Sequence, residues 1–436
     1  MSAAPPLDVT YRALGAAGVM GASSHLVTLG DAAVVMDAGC DPRTGALTDV
    51  RPAQAVGARA LVVSHAHLDH TGGLPIILRG LPNAFLHGTH GTRAMTDVAL
   101  RDHLNRCRAQ AGAGGLPFSE DERAGLPWKC AHLGERVPLW TDGPFCTLLD
   151  AGHLAGSAGV LLEYGGRRVF YTGDTHLADR PWLRGATWPD APVDVLLTET
   201  TQGANPVLDD VLQATLEARL LGVLREVLGG GGQALLPVFA FGKAQEVLAL
   251  ISQAMDAGRL PVAPIFISGL AARVNVVARR NAPDGNPPAW RATRPLTEGL
   301  VREPPRGAAI FLSGSGMLAE GSLAGRLAEK LSTEARNALI FVGYLDPESP
   351  GFEVRHGGRP MAARMETIPF SAHASRTDLL AAILKLQPRH AVLTHGDESA
   401  RAWFADRLAS LAPTTTVHRP LPGQTLRFAD AAAERH

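Results

Sequence analysis

The stretch SHAHLDHTGG, Ser64 to Gly73, sets His65, His67, Asp69 and His70 within six positions, directly after the apolar run Ala60-Leu61-Val62-Val63. A lone histidine at the end of a buried strand is ordinarily a satisfied core residue. Three with an aspartate, and no compensating acids nearby, are hard to explain as packing, because each buried polar ring needs a partner. Imidazole and carboxylate are donors that zinc accepts, and catalytic zinc sites keep one position open for water. In an extended segment His65 and His67 point to one side, while the following turn lets Asp69 and His70 face a second ion. Further donors are expected at other strand ends, since a two-metal site converges from several loops. His153 in DAGHLAGSAG follows CTLLD, Asp174 in YTGDT follows RRVF, and His395 in LTHGD follows HAVL. Each sits against glycine, which permits close backbone approach. The set supplies seven ligands, enough for two ions with Asp174 shared.

A chain of 436 residues suggests two or three domains. With 46% hydrophobic residues, 47 Gly and 31 Pro it has the composition of a loop-rich α/β enzyme. No run approaches the ~20 apolar residues that span a bilayer, and MSAAPPLDVTYRALG lacks a basic segment followed by an apolar one, so the expectation is a cytoplasmic protein with no membrane partner. Cys40, Cys107, Cys130 and Cys146 are scattered without a C-x-x-C, which indicates reduced cysteines rather than disulfides or a thiolate zinc site. Net charge is −1, giving no global electrostatic case for a polyanionic partner. One local case exists. Between Ala271 and Arg306, Arg273, Arg279, Arg280, Arg291, Arg294, Arg302 and Arg306 outnumber Asp284, Glu298 and Glu303, a balance of 7 − 3 = +4. A solvated face in a proline-rich segment explains it equally well.

Up to about Thr200 short Val/Leu/Ile runs (AAVVMDAG, ARALVVSHAH, NAFLHG, VLLEYGG, RRVFYTGD, VDVLLTET) end in Gly, Asp or His, as buried strands with functional loops do. DDVLQATLEARLLGVLREVLGG has helical spacing and stops at Gly229 to Gly232. QALLPVFA, GKAQEVLALISQAMDAG and APIFISG then read as strand, helix and strand, with further strands in AAIFLSGSGM and NALIFVGY. This repetition implies a second, parallel α/β unit. From ETIPFSAHAS onward, polar histidines again close apolar segments. The tail therefore rejoins the first module, giving expected boundaries of 1–204, an insertion at 205–355, and 356–436.

These residues resemble the metallo-β-lactamase superfamily and, within it, the β-CASP nucleases. HAHLDH matches H-x-H-x-D-H; Asp37 in VVMDAG, His153 and Asp174 match the other metal motifs. Glu199 in LLTET, His373 in PFSAHAS and His395 in LTHGD resemble the β-CASP motifs, as do PVFAFGKAQEVL, SGSGML and VGYLD. The resemblance implies an αββα sandwich with an inserted β-CASP domain, a parallel sheet flanked by helices, capping the metal site. It implies two Zn2+ per chain, one on His65, His67 and His153, the other on Asp69, His70 and His395, bridged by Asp174. Asp37 would buttress the ligands through hydrogen bonds. The implied reaction is hydrolysis of RNA phosphodiester bonds by a two-metal-activated hydroxide, with Asp69 and Asp174 at the metals and His373, kept protonated by Glu199, as general acid for the 3′ oxygen. RNA-cleaving members carry a histidine at the His395 position, where Artemis-type DNA nucleases typically have an apolar residue. The expected partner is single-stranded RNA, with a homodimer left open. Ser313, Gly314, Ser315 and Arg273 are candidates for substrate phosphate, although a tight strand-to-helix turn explains SGSGM as well.

The chain departs from the family at Thr200-Thr201-Gln202-Gly203, where Thr-Tyr-Gly is common, at GVMGASSH, and at SPGFEVRHGG. It carries no KH-like module or long C-terminal extension of the J-type ribonucleases, which favours endonucleolytic over exonucleolytic cleavage. Two rivals remain. A hydrolase of small esters or thioesters would need the histidine cluster but not Glu199 and His373. A non-catalytic RNA-binding protein would not need intact metal ligands.

Overall fold

The computed structural model describes residues 7–41, 44–110, 116–209, 211–282, 288–314 and 316–428. Ser315 alone among the candidate site residues lies outside them, as does Asp284 of the arginine-rich segment. The chain forms two compact units: Met1–Ala178, Arg184–Pro206 and His373–His436 make the first, Asp179–Leu183 and Val207–Ala372 the second.

In chain order the strands are β1 (Val9–Ala13), β2 (His25–Leu29), β3 (Ala32–Met36), β4 (Ala60–Val62), β5 (Phe85–Thr89), β6 (Trp128–Ala131), β7 (Arg136–Pro138), β8 (Phe145–Asp150), β9 (Ala158–Tyr164), β10 (Arg167–Tyr171) and β11 (Val195–Thr198). β12 (Gln233–Pro237), β13 (Ile265–Ile267), β14 (Thr293–Pro295), β15 (Ala309–Ser313), β16 (Ala338–Val342) and β17 (Arg364–Ile368) follow. The last are β18 (His390–Leu393), β19 (Thr416–His418) and β20 (Thr425–Phe428).

The first unit holds two seven-stranded sheets, ordered β20-β1-β2-β3-β4-β5-β6 and β19-β18-β11-β10-β9-β8-β7. Strand side chains alternate between faces. Ala60 and Val62 of β4 point inward with Val34 and Met36 of β3, where they meet Val160, Leu162, Val169, Leu197 and Val392 of the other sheet. Leu61 and Val63 point outward against Ala53, Leu74 and Ile77, carried by the helices Arg51–Ala55 and Leu74–Arg79. On the far side Phe170, Leu196 and Leu393 pack on Leu379 and Ile383 of the helix Arg376–Leu386 and on Phe404 and Leu408 of the helix Glu398–Leu411. Helix, sheet, sheet and helix make the αββα sandwich. Because β4, β8, β10 and β18 each end in a loop that carries a candidate ligand, the layering itself gathers those loops.

The second unit is a six-stranded sheet, β14-β13-β15-β12-β16-β17, in which every pairing is parallel. Its central strands β12, β13, β15 and β16 are buried throughout and mostly apolar on both faces, as helix-covered parallel strands are. Leu235, Phe266, Phe311, Leu339 and Phe341 form one core with Leu327 and Leu331 of the helix Leu323–Leu331. The arginine-rich stretch is not simply an irregular segment: Gly269–Arg280 is a helix that buries Ala271, Val274, Asn275 and Ala278 and leaves Arg273, Arg279 and Arg280 exposed. No helix among the described residues is long and apolar enough to cross a membrane. All four cysteines are free.

Candidate metal centre

After β4 the chain stays extended through His67 (φ −65°, ψ 149°) and then turns into the short helix Leu68–Thr71. The extended part sends His65 and His67 to one place, and the helical turn, rather than an open loop, swings Asp69 and His70 to the next. His153 arrives from the loop after β8, Asp174 from the loop after β10, and His395 from the loop after β18. Donor atoms of His65, His67, His153 and Asp174 all lie within 4.8 Å of one another, and so do those of Asp69, His70 and His395. Asp174 faces both groups. Its Oδ2 is 3.5 Å from His65 Nε2 and 3.8 Å from His153 Nε2, while its Oδ1 is 3.4 Å from both His70 Nε2 and His395 Nδ1. A third group, Asp174, Glu199 and His395, meets the same 4.8 Å span, so Glu199 stands closer to the centre than the sequence implies.

Asp37 lies beneath the cluster, fully buried, in the left-handed region at φ +58°. Its Oδ2 accepts from Ser64 Oγ (2.6 Å), His70 Nδ1 (2.8 Å) and the Tyr171 hydroxyl (2.8 Å), and its Oδ1 accepts from Ser64 N (2.7 Å). With Nδ1–H donated to a carboxylate, His70 presents Nε2 as its electron pair. His395, also left-handed at φ +45°, sets Nε2 3.3 Å from Asp69 Oδ2. Asp174 follows Gly173, whose φ is +55° and where a Cβ would stand 2.8 Å from Ser64 Cβ. Only glycine fits here, between the loop that carries His65 to His70 and the loop that carries Asp174.

The donor set fits a cation. His70 Nε2 and Asp174 Oδ1 are buried without a hydrogen-bond partner although they face each other. Such a pair is costly unless an ion lies between. Without an ion the imidazoles divide. Burial holds His65 and His67 below the usual histidine range. Burial also pulls on His70 and His395, but Asp174, Asp69 and, for His70, Asp37 outweigh it and raise both. Burial pushes Asp69 and Asp174 up, and the surrounding imidazoles bring both down below the carboxylate range. A cation entering the site therefore displaces protons from His70 and His395.

Beside the cluster His373 Nδ1 lies 2.9 Å from Glu199 Oε2 and 3.1 Å from Oε1, and Glu199 Oε1 is held by Thr175 N at 2.7 Å. Burial lowers the His373 pKa, but the charge and hydrogen bond of Glu199 overcome that and bring it to about 9. Its ring centroid is 4.9 Å from that of His153. The structure thus brings together His65, His67, Asp69, His70, His153, Asp174, Glu199, His373, His395 and, beneath them, Asp37. Arg273, Ser313 and Gly314 belong to the second unit.

Three partners were not singled out from sequence. Ser64 and Tyr171 both hold Asp37. Thr201 Oγ1 lies 3.1 Å from His395 Nδ1, so the departure at Thr200-Thr201-Gln202-Gly203 supplies a contact to a ligand. Tyr171 had one usable signal: it alternates inward with Val169 on β10, immediately before Thr172-Gly173-Asp174.

Family models match in three consecutive places: the metallo-β-lactamase superfamily over residues 17–221, the β-CASP domain over 244–354, and the Zn-dependent metallo-hydrolase RNA specificity domain over 358–420. A ribonuclease of Thermus thermophilus is 32% identical over 425 residues, spanning 88% of this chain and 92% of that protein. An RNase J-like protein of Methanocaldococcus jannaschii is 29% identical, spanning 85% and 89%. Cleavage and polyadenylation specificity factor subunit 3 of Dictyostelium discoideum is 26% identical across 93% of this chain but 56% of its own length. The crystal structure of a protein of unknown function from Enterococcus faecalis aligns over 96% of this chain with a TM-score of 0.60 at 14% identity, which speaks to the fold alone.

Proposed function

The chain belongs to the β-CASP branch of the metallo-β-lactamase superfamily, and on that premise we propose that it is a zinc-dependent ribonuclease that cuts single-stranded RNA internally. The observation that carries the proposal is the pair of donor groups meeting at Asp174, with the Glu199–His373 pair alongside. Esters and thioesters would not call for that second pair. Ribonucleases among the relatives, and the RNA specificity domain matched at 358–420, support RNA as the substrate.

His65, His67 and His153 would hold one ion, Asp69, His70 and His395 the other, with Asp174 between. Two divalent ions so held supply an activated water and neutralise charge on the phosphate oxygens. The protein's own groups do the rest. Asp37 fixes the His70 tautomer, and Thr201 steadies His395. Glu199 accepts from His373 Nδ1, which turns Nε2 toward proton delivery; with a pKa of about 9 the imidazolium is populated at neutral pH and gives its proton to the departing 3′ oxygen. Arg273, which is exposed, and Ser315 are proposed to contact phosphates; Ser313 is fully buried and the Gly314 N–H donates to Ser268 Oγ, so neither of those expected contacts is proposed.

The test incubates 5′-labelled and 3′-labelled RNA, and DNA of the same sequence, with wild type, His67→Ala and His373→Ala. The proposal expects internal cuts in RNA from both labels, none with His67→Ala, and slowed cutting with His373→Ala. Equal cleavage by His67→Ala would refute it. A one-ended ladder would replace endonucleolytic with exonucleolytic action.

A further inference from the structure

Among the described residues three aromatic side chains are exposed: Phe85, Phe239 and Tyr344. Phe85 is covered by the Lys129 ammonium, 3.7 Å from its ring centroid. The other two belong together. Phe239 follows the end of β12 by two residues and Tyr344 follows the end of β16 by two. β12 and β16 are parallel neighbours with Leu235 paired to Leu339. Both residues therefore leave neighbouring parallel strands at the carboxyl edge of the second unit's sheet.

That edge is where a parallel sheet receives ligands. β12 leads through the helix Lys243–Asp256 to β13 on one side, and β15 leads through the helix Leu323–Leu331 to β16 on the other. Adjacent strands whose connections run in opposite directions open a crevice at their carboxyl ends. β15 and β12 are such a pair. Val238 N donates to Ser313 O at 3.0 Å, and Gly314 N donates to Ser268 Oγ at 2.6 Å, which ties the turn after β15 to the start of the helix Gly269–Arg280. At Gly316 a Cβ would lie 3.2 Å from Phe239 N and 3.6 Å from its ring, so glycine leaves the aromatic ring uncrowded. On the helix that leaves β13 at the same carboxyl edge, the Arg273 guanidinium folds back over the first turn, 3.9 Å from where a Gly269 Cβ would be.

We propose that Phe239 and Tyr344 are a stacking platform for unpaired bases, with Arg273 taking an adjacent phosphate. Exposed rings forgo the burial that aromatic side chains otherwise gain. Two of them at one sheet edge, with an exposed guanidinium on the helix that leaves β13 at the same edge, have the composition of a single-strand reader, in which bases stack and phosphates pair with cations. Bases in a duplex have their faces occupied, so the platform selects single strands. This rests on the RNA reading above and deepens it: the first unit carries the cleavage chemistry, and these residues determine strandedness.

The test uses the full-length chain carrying His67→Ala to silence cleavage, a fluorescent single-stranded RNA, and a ribose-phosphate oligomer of equal length without bases. Phe239→Ala and Tyr344→Ala should each weaken RNA binding roughly 5- to 150-fold, the scale of one lost stack. Phe239→Trp should retain affinity, and thermal melting of the alanine variants should fall by far less than for a core residue, because both side chains reach the surface. The base-free oligomer should bind the parent and both alanine variants equally weakly. Unchanged RNA affinity in the alanine variants, or the same loss on the base-free oligomer as on RNA, would overturn the platform. If the parent binds no RNA, the RNA reading itself fails; if it binds RNA but the variants bind as well, only the platform does.

Discussion

Asp37→Asn is a perturbation whose size can be worked from the hydrogen bonds. The carboxylate accepts four, three on Oδ2 and one on Oδ1, and is fully buried. An amide has one oxygen. Placed at Oδ2 it keeps Ser64 Oγ, His70 and Tyr171, but turns its NH2 against Ser64 N–H; placed at Oδ1 it turns NH2 against three donors. Even the better choice strands a buried donor, at about 1–3 kcal/mol, and replaces a charge-assisted bond to His70 with a neutral one. His70 also loses what fixes its tautomer. Outer-shell partners of this kind are worth about 10- to 100-fold in metal affinity. Zinc competition against a chromophoric chelator and urea unfolding of the metal-free protein measure the two parts. The expected result is weaker zinc binding on that scale with a lowered unfolding midpoint. Unchanged zinc affinity would refute the reasoning, because Asp37 would then not govern how His70 binds.

Other outcomes follow from the same geometry. Glu199→Gln and His373→Gln should each slow RNA cleavage by ~10²- to 10⁴-fold while zinc content, measured by atomic absorption, stays at the wild-type level. Gly173→Ala puts a Cβ 2.8 Å from Ser64 Cβ at a φ of +55°, and should lower both thermal stability and zinc affinity because Ser64 and Asp174 move together. Burial lowers the His25 pKa to about 3 and the His87 pKa to about 4, from an ordinary value of 6.5. The folded state therefore favours the neutral rings. Their stabilisation is complete above pH 6.5 and is lost as pH falls from there toward 4 and 3, because the unfolded chain takes up the protons first. Urea midpoints of the metal-free protein should drop between about pH 7.5 and 5, and less steeply in His87→Leu.

The candidate ligand residues were legible because strand ends are legible. Short Val/Leu/Ile runs closed by His or Asp mark where a sheet delivers polar groups, and β4, β10 and β18 deliver His65, Asp174 and His395 as that pattern predicts. The parallel second sheet was legible from alternating apolar runs and helical spacing, as with the helix Gln213–Gly229. What escaped was less periodic. The helix His90–Gln110 buries only a few apolar residues, among them Met95, Leu100 and Leu104, and so carries a weak helical stripe. The helix Gly269–Arg280 was masked by its arginines, because exposed charge says little about the buried face behind it. Ser64, Tyr171 and Thr201 reach the site through one or two hydrogen bonds each, which leave no spacing to read. Phe239 and Tyr344 lie in PVFAFGKAQEVL and VGYLD, stretches legible as β-CASP-like, but nothing in their spacing marks the two rings as exposed.

Metal dependence of RNA cleavage tests the central claim most directly. The chain is purified, its zinc counted, then stripped with a chelator and reloaded, and cleavage of labelled single-stranded RNA is followed beside His67→Ala at each stage. The account predicts about two zinc ions per chain, cleavage lost on stripping and restored on reloading, and neither full loading nor cleavage in His67→Ala. RNA cleavage that persists unchanged in the stripped protein and in His67→Ala would contradict it.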